Sequence, residues 1–405
     1  MASGQAHNLI LPHVGTTTTE RIPRLDLAVG VERRVCERAV RLLDKLRRSE
    51  IMPFATESRT TSVAASTVTS LEISDLKNPF NAPWVMTQVR VFTSTGLAAS
   101  ASGATSSNLT LRLIDNDRQK PLFKRSIRAS ALVGLDSNTW ELDRPHVLGP
   151  AASLYAQIES TGAPGNGIWA AFLGEVVLGG IISAAEVREA IGLGIYPTSG
   201  WRAGAWTQSA LLPLLMGDQP VCETEEGERL RWSLRERIAE LRLKLAAATI
   251  QPYILANTAT SDVPQAGSIV FPIAFLRNDS AFPVVMNKVV LATVASAAAS
   301  AIGSVFNNIS ILAQLTGGND DRYITWKRAL APTFVDRSTN TWMFERPCLL
   351  KPDEAIRLVA LEENVNATTD LYAAFHGFVI QGLSNDEVRE CISLGLFSAW
   401  RRSGD

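Results

Sequence analysis

The segment Asn138-Thr139-Trp140-Glu141-Leu142-Asp143-Arg144-Pro145 decides how this chain is built, because it occurs twice. It returns 202 residues on as Asn340-Thr341-Trp342-Met343-Phe344-Glu345-Arg346-Pro347, with Asn, Thr, Trp, Arg and Pro in register. Leu148 and Pro150 then match Leu350 and Pro352. Further on, Ala171-Phe172-Leu173-Gly174 matches Ala374-Phe375-His376-Gly377, and the stretch from Glu186 to Gly194 matches Glu387 to Gly395. Upstream, Asn78, Pro83, Val85 and Met86 align with Asn278, Pro283, Val285 and Met286. Asn108-Leu109 aligns with Asn308-Ile309, and Pro53 with Pro252. Near-constant spacing along a whole unit marks a duplicated domain, and two copies make a tandem pair, not a solenoid.

Each unit follows the same plan. The first opens with Val31 to Leu46, whose apolar residues fall at 31, 35, 39, 42 and 46, a helical stripe. The second opens with Glu225 to Ala248, where Leu230, Leu234, Ile238, Leu241 and Leu245 repeat that stripe. Its other face alternates Arg and Glu (Arg229, Arg231, Arg235, Glu236, Arg237, Glu240, Arg242), which reads as a solvated salt-bridged surface or as a contact helix for a partner. Short runs rich in β-branched and aromatic residues follow. They are Val85–Thr93, Asn108–Asp115, Leu154–Glu159 and Ile168–Leu178, then Ile269–Arg277, Val284–Thr293, Asn307–Leu315, Ala355–Glu362 and Leu371–Ile380. Small-residue stretches, Thr93–Ser107 and Thr293–Ser304, read as long loops. Each unit closes with a short helix capped by Ser183 or Ser384, with Glu186 or Glu387 three residues on and Gly194 or Gly395 as the stop.

The expectation is therefore a mainly β chain of two tandem jelly-roll-like β-sandwich domains, each preceded by an amphipathic helix and closed by a short one. The expected divisions are an extended arm (1–26), the first repeat (27–196), a linker (197–224), the second repeat (225–397) and a tail (398–405). The linker carries Trp201, Trp206 and the apolar run Leu211–Met216, so it is expected to pack against something and not to swing freely.

Bulk properties narrow the function. The chain has 405 residues and 46% hydrophobic content, enough for sizeable cores. Lys and Arg total 39 against 40 Asp and Glu, a net charge of −1 that argues against general nucleic-acid binding. Cys36, Cys222, Cys348 and Cys391 show no paired spacing and read as buried free thiols made in a reducing compartment. The first residues lack a basic segment and a long apolar core, so no secretory signal is expected, and the sequons at Asn108, Asn308 and Asn366 carry no weight. Ile168–Ala185 is nearly apolar, but Glu175 and its polar-interrupted counterpart make it a buried strand and turn, not a membrane span.

The chain offers little chemistry. His7, His13, His146 and His376 are not shared between the repeats and have no ligand-spaced partner, so no metal site is expected. No phosphate-binding loop, dinucleotide fingerprint or nucleophile elbow occurs, so no cofactor and no catalytic residue are assigned. The glycine-rich Gly162–Gly167 reads as a hairpin turn, and Asp115 with Asp117 and Asp320 with Asp321 as solvated loop acids. What the copies share best is Trp140, Arg144 and Pro145 with Trp342, Arg346 and Pro347. Two readings stand. Either the Trp fills a core, the Arg satisfies carbonyls and the Pro ends a strand edge, or Trp and Arg face a partner as interface anchors.

The run Asn138 to Pro150 leading to Leu154-Tyr155-Ala156-Gln157-Ile158-Glu159 resembles jelly-roll virion structural proteins of tailed bacteriophages, such as capsid decoration (cement) and head-associated proteins. So does Phe344 to Pro352, leading to Leu371 to Phe378. The resemblance covers the back half of each repeat, and the first copy departs from it at Leu173-Gly174-Glu175. It implies a non-enzymatic structural protein assembled in the host cytoplasm into the virion as an oligomer. The implied partners are the major capsid protein or other virion proteins, with no membrane and no specific nucleic acid. Capsid decoration or a minor head role is the leading expectation. A neck, tail or baseplate component is a second, a carbohydrate-binding sandwich a third, and an enzyme on a sandwich scaffold a fourth.

Overall fold

The computed structural model describes residues 22–63, 68–71, 77–95, 109–115, 120–122, 125–128, 131, 139–160, 166–196, 211–257, 272–295, 309–316, 322–326, 329–335, 340–362 and 369–397. The chain is mainly β. In the first half, β1 (Glu50–Val63), β9 (Asn166–Leu178), β3 (Trp84–Thr95) and β7 (Thr139–Leu148) lie side by side in that order as a front sheet. Behind it, β2 (Val68–Leu71), β8 (Leu154–Ser160) and β4 (Leu109–Asp115) form a back sheet, to which β5 (Lys120–Pro121) and β6 (Ile127–Arg128) add short pairings. Apart from β4, β5 and β6, which share the back sheet, strands consecutive in sequence fall in opposite sheets, as in a jelly roll.

The second half repeats this order. Its front sheet is β10 (Thr249–Ala256), β19 (Thr369–Gln381), β12 (Val284–Ala295) and β17 (Thr341–Leu350). Its back sheet is β11 (Pro272–Arg277), β18 (Ala355–Glu362) and β13 (Ile309–Thr316), extended by β14 (Arg322–Tyr323) and β16 (Ala329–Leu330). The registers agree residue by residue. Pro53 faces Glu175 and Pro252 faces Phe378, while Gln88 faces Leu173 and Lys288 faces His376.

Two shared features of sequence now have causes. Gly174 and Gly377 are required because an added Cβ would lie 2.0 Å from the Val85 carbonyl oxygen or 2.1 Å from that of Val285. Asn78 and Asn278 are buried knots: each side-chain amide donates to two carbonyls, of Ala82 and Gly149 or of Phe282 and Leu350, closing the same turn before the third strand of its unit. Neither role can be filled by a larger or apolar residue without a clash or orphaned buried carbonyls.

At one end of both sandwiches gather α1 (Ile22–Arg48), α2 (Ala184–Gly192), α3 (Leu211–Met216), α4 (Glu225–Ala247) and α6 (Asn385–Ser393), whereas the single turn α5 (Ala331–Phe334) lies in the junction between the halves. Leu42, Leu43 and Leu46 of α1 share one apolar core with Leu234, Ile238 and Leu241 of α4 and with strand residues of both halves. The capping boxes form as expected at Ser183 and Ser384, and Gly194 and Gly395 take the left-handed conformation that ends the helices. Each long helix clamps its own short one: Lys45 meets Glu186 and Lys244 meets Glu387, both at 2.6 Å, and Arg38 meets Glu189 as Arg237 meets Glu390.

Several expectations are corrected. Helix α1 starts at Ile22, so the last residues of the 1–26 arm are helical. The 197–224 linker is not wholly irregular, since it contains α3, and the buried Leu215 agrees with the packing expected of that segment. Arg231 is not on a solvated face; it is 1% exposed, bonded to Glu228 and to the carbonyls of Leu215 and Gly217, and so fastens that segment to α4. Asp115 is a buried strand residue 3.1 Å from His146, not a loop acid. Strands β1, β2, β7, β10 and β17, with the two-residue pairings, lie outside the expected set. Residues 1–21, with His7 and His13, lie outside the described residues. So do Trp201, Trp206, Asp117, Asp320, Asp321, the turn at 161–165, the loops 96–108 and 296–308, and 398–405. The apolar Ile168–Ala185 stretch is β9 and its turn, and among the described residues no helix is long and apolar enough to cross a membrane.

Candidate assembly interface

The shared Trp-Arg-Pro motif sits in an irregularity of the outermost front-sheet strand. Between β3 and β7 the register jumps from Met86 opposite His146 to Gln88 opposite Glu141, so Leu142 to Pro145 bulge out against Thr87 alone. Between β12 and β17 it jumps from Met286 opposite Cys348 to Lys288 opposite Met343, so Phe344 to Pro347 bulge against Asn287. Pro145 and Pro347 therefore do not end their strands; they lie inside them, within a bulge on a sheet edge, where a missing N–H costs no ladder bond.

The two bulges have different surroundings. In the second half the bulge is buried in the junction with the first. Trp342 and Phe344 stack edge to face, centroids 4.8 Å apart, and Phe334 of α5 meets Trp342 at 4.7 Å. Arg346 donates to the Ser393 carbonyl at 2.9 Å, its Nε lies 3.3 Å from the Glu175 carboxylate, and its guanidinium lies 4.5 Å above the Tyr196 ring. Tyr196 in turn donates to Glu175 at 2.7 Å. Burial pushes the Glu175 carboxyl above its ordinary range, and the Arg346 charge and Tyr196 hydroxyl oppose that push. The Tyr196 phenol is held well above its ordinary value, first by burial and then by the Glu175 charge. Both readings of the motif thus meet at Arg346, which satisfies a carbonyl of its own unit and anchors it to the other.

More contacts cross the junction. Gln88 donates to Glu345, and Arg90 donates to the Phe334 carbonyl. Arg322 bridges Glu50 of the first half and Glu354 of the second. A two-residue strand, β15 (Thr325–Trp326), pairs parallel with β1 at Ala55 and Thr56, and the Ala55 N–H donates to the Ile324 carbonyl at 2.8 Å. At the helical end Glu37 accepts from the backbone and hydroxyl of Thr224, and Gly227 leaves room for it. Buried pairs hold both orientation and register, so the halves form one unit.

In the first half the same bulge is less buried, with Leu142 packed against the apolar core. Arg144 is exposed, with Trp140 and Pro145 half-buried, although Arg144 keeps its place beside Gly192, the counterpart of Ser393. The repeat marks these positions, but it does not mark Glu175, Tyr196, Glu345, Arg322 or Arg90 as their junction partners. The signal available was a charged residue, Glu175, inside a nearly apolar strand, which demands a buried partner.

His146 pairs with buried Asp115, and His376 is half-buried, its pKa lowered by burial and by Lys288. All four cysteines are buried and free. Among the described residues no group of three or more His, Cys, Asp or Glu is placed to hold a metal ion.

No protein-family profile matches the chain. No curated protein matches it. Solved structures that align with it include the major capsid protein P2 from bacteriophage PM2, at 8% identity and a TM-score of 0.20, covering 82% of this chain and 98% of that one. Infectious bursal disease virus Gx strain aligns at 11% identity and a TM-score of 0.19, covering 82% and 71%. A structure of Bacillus endospore appendages, disulfide-linked pili, aligns at 12% identity and a TM-score of 0.19, covering 33% and 92%. Similarities of this size carry no argument about function.

Proposed function

We propose that this chain is a structural, non-enzymatic protein of a virus particle, and that its specific place is on the head, as a capsid decoration or minor head protein built by duplication of one unit (27–196 and 225–397). The observation behind this reading is the fixed pairing of two jelly rolls with matching registers, joined through Arg346, Glu175 and Arg322. A body that holds two like domains at one spacing suits a shell whose binding sites repeat, because two linked contacts gain affinity without either being strong. The jelly roll itself is a recurrent shell-building domain. The partner on this reading is the major capsid protein or another virion protein.

The test is co-sedimentation of the purified chain with empty, tailless shells of the virus that encodes it, with copies per particle counted on a quantitative gel. Saturable binding at a number matching the shell lattice is expected. A chain that stays in the supernatant and assembles alone into rings belongs to the neck or tail instead. A chain that does neither overturns the virion reading.

A further inference from the structure

The outward face of the first front sheet is sealed by the second half of the chain, and the matching face of the second front sheet is open. The registers identify the corresponding residues. Ala55, opposite Leu173, corresponds to Ile254, opposite His376. Gln88 and Arg90, opposite Leu173 and Ala171, correspond to Lys288 and Val290, opposite His376 and Ala374. Ala55 is 1% exposed and Ile254 is 56% exposed. Gln88, Arg90, Ala171 and Leu173 are all buried, whereas Lys288, Val290, Ala374 and His376 are all partly open. Residues 51–58 of β1 are buried without exception, and β10 is exposed at most positions.

The complementary surface is open too. The first sheet is covered by β17 and its bulge, with Trp342 and Arg346 buried. Among the described residues the counterpart flank, β7, is less covered: Arg144 is exposed, while Trp140 is half-buried and packs against the apolar core. Among the described residues the chain thus carries one closed joint and, with Ile254 and Arg144 exposed, the two faces of a second of the same design.

We propose that copies of this chain associate head to tail, the open front-sheet face of the second jelly roll in one copy receiving the β7 flank of the first jelly roll in the next. The occupant is a second copy, because the joint inside the chain already shows what fits that face. Such a contact is heterologous. It closes into a ring if the repeated rotation closes and otherwise runs on as a filament. The joint between copies differs in one chemical respect. Where Arg346 meets Glu175 and Tyr196, Arg144 meets the counterparts Phe378 and Phe397, both half-buried aromatics. A guanidinium over rings, with no carboxylate, gives a weaker and reversible contact. The inference does not depend on the virion reading; a self-associating chain that ignores shells would separate the two.

The test uses the full chain in sedimentation velocity. Wild type is expected to self-associate with rising concentration. Ile254→Asp and Arg144→Glu, each at an exposed site and each spoiling one side of the joint, are expected to raise the dissociation constant about tenfold or more. Mixing the two variants is decisive. Each keeps one good side, so head-to-tail packing predicts a 1:1 heterodimer that grows no further. Phe275→Ser, at an exposed residue of the back sheet, is the control and is expected to associate like wild type. The proposal is overturned if wild type stays monomeric, if Ile254→Asp folds with an unchanged circular dichroism spectrum and still associates, or if the mixture yields no heterodimer.

Discussion

Arg346 and Glu175 come from different halves of the chain and meet 3.3 Å apart with only 3% and 1% of their side chains exposed. Taking either charge out of water is expensive, and mutual attraction repays that cost only while both are present. The pair therefore fixes orientation more than it adds stability, and the two halves depend on it jointly.

Removing one partner should be costly and removing both should not. Glu175→Ala is expected to lower the stability measured by urea unfolding by about 3–5 kcal/mol, since a buried guanidinium is left uncompensated. The double change Glu175→Leu with Arg346→Met is expected to recover most of that loss. A double variant as unstable as the single one would mean that packing, not charge, dominates the junction.

The shared glycines give a second prediction. Gly174→Ala and Gly377→Ala each press a Cβ into a neighbouring strand's backbone, where no side chain can move aside. Each is expected to cost at least about 1–3 kcal/mol in thermal or urea unfolding. An alanine variant as stable as wild type would contradict the strand spacing described above.

Acid should weaken the helical end. Lys244 and the Ser384 backbone N–H hold the Glu387 carboxyl at about 2, below its ordinary 4.5. A carboxyl depressed in the folded state contributes stability above its unfolded value and loses it as pH falls through the folded one. Glu387→Gln is expected to be less stable than wild type at neutral pH, with the gap closing between about pH 4.5 and pH 2 in a series of urea midpoints. A gap independent of pH would show that the charge is irrelevant.

The thiols should be inert until the chain opens. Burial pushes Cys222, Cys348 and Cys391 up to about 12, and raises Cys36 as well. A thiol-specific chromogenic reagent at neutral pH is expected to titrate none of them in the folded chain and all four in denaturant. Rapid modification of the native chain would place a cysteine nearer the surface than described.

Much of this architecture was legible in the sequence, and the exceptions share a cause. The duplicated motifs, the capping boxes and most central strands follow local rules of spacing and capping. Strand β1 breaks those rules: Glu50 to Ser58 carries Pro53 and no clean alternation, because it is buried on both faces by partners distant in sequence. Strand β10 has a similarly irregular composition, with Pro252 at the position that corresponds to Pro53. Pro145 and Pro347 signalled strand ends, yet an edge bulge absorbs them. Arg231 looked like one of many solvated arginines on α4; only the fold shows that α3 lies over it. At the junction, the repeat carries Arg346 but not its partner: Glu175 has Phe378 as its counterpart, so matching the two copies does not reveal the pair.

On the head-to-tail proposal, one surface is sealed in the first jelly roll and open to a second copy in the second. Hydrogen exchange at two corresponding amides tests it most directly. The Ala55 N–H is bonded to the Ile324 carbonyl, and by register the Ile254 N–H points from the open edge of β10. In the Arg144→Glu chain, kept dilute, the account predicts a strongly protected Ala55 amide and an Ile254 amide that exchanges orders of magnitude faster. Equal protection at the two amides would contradict it.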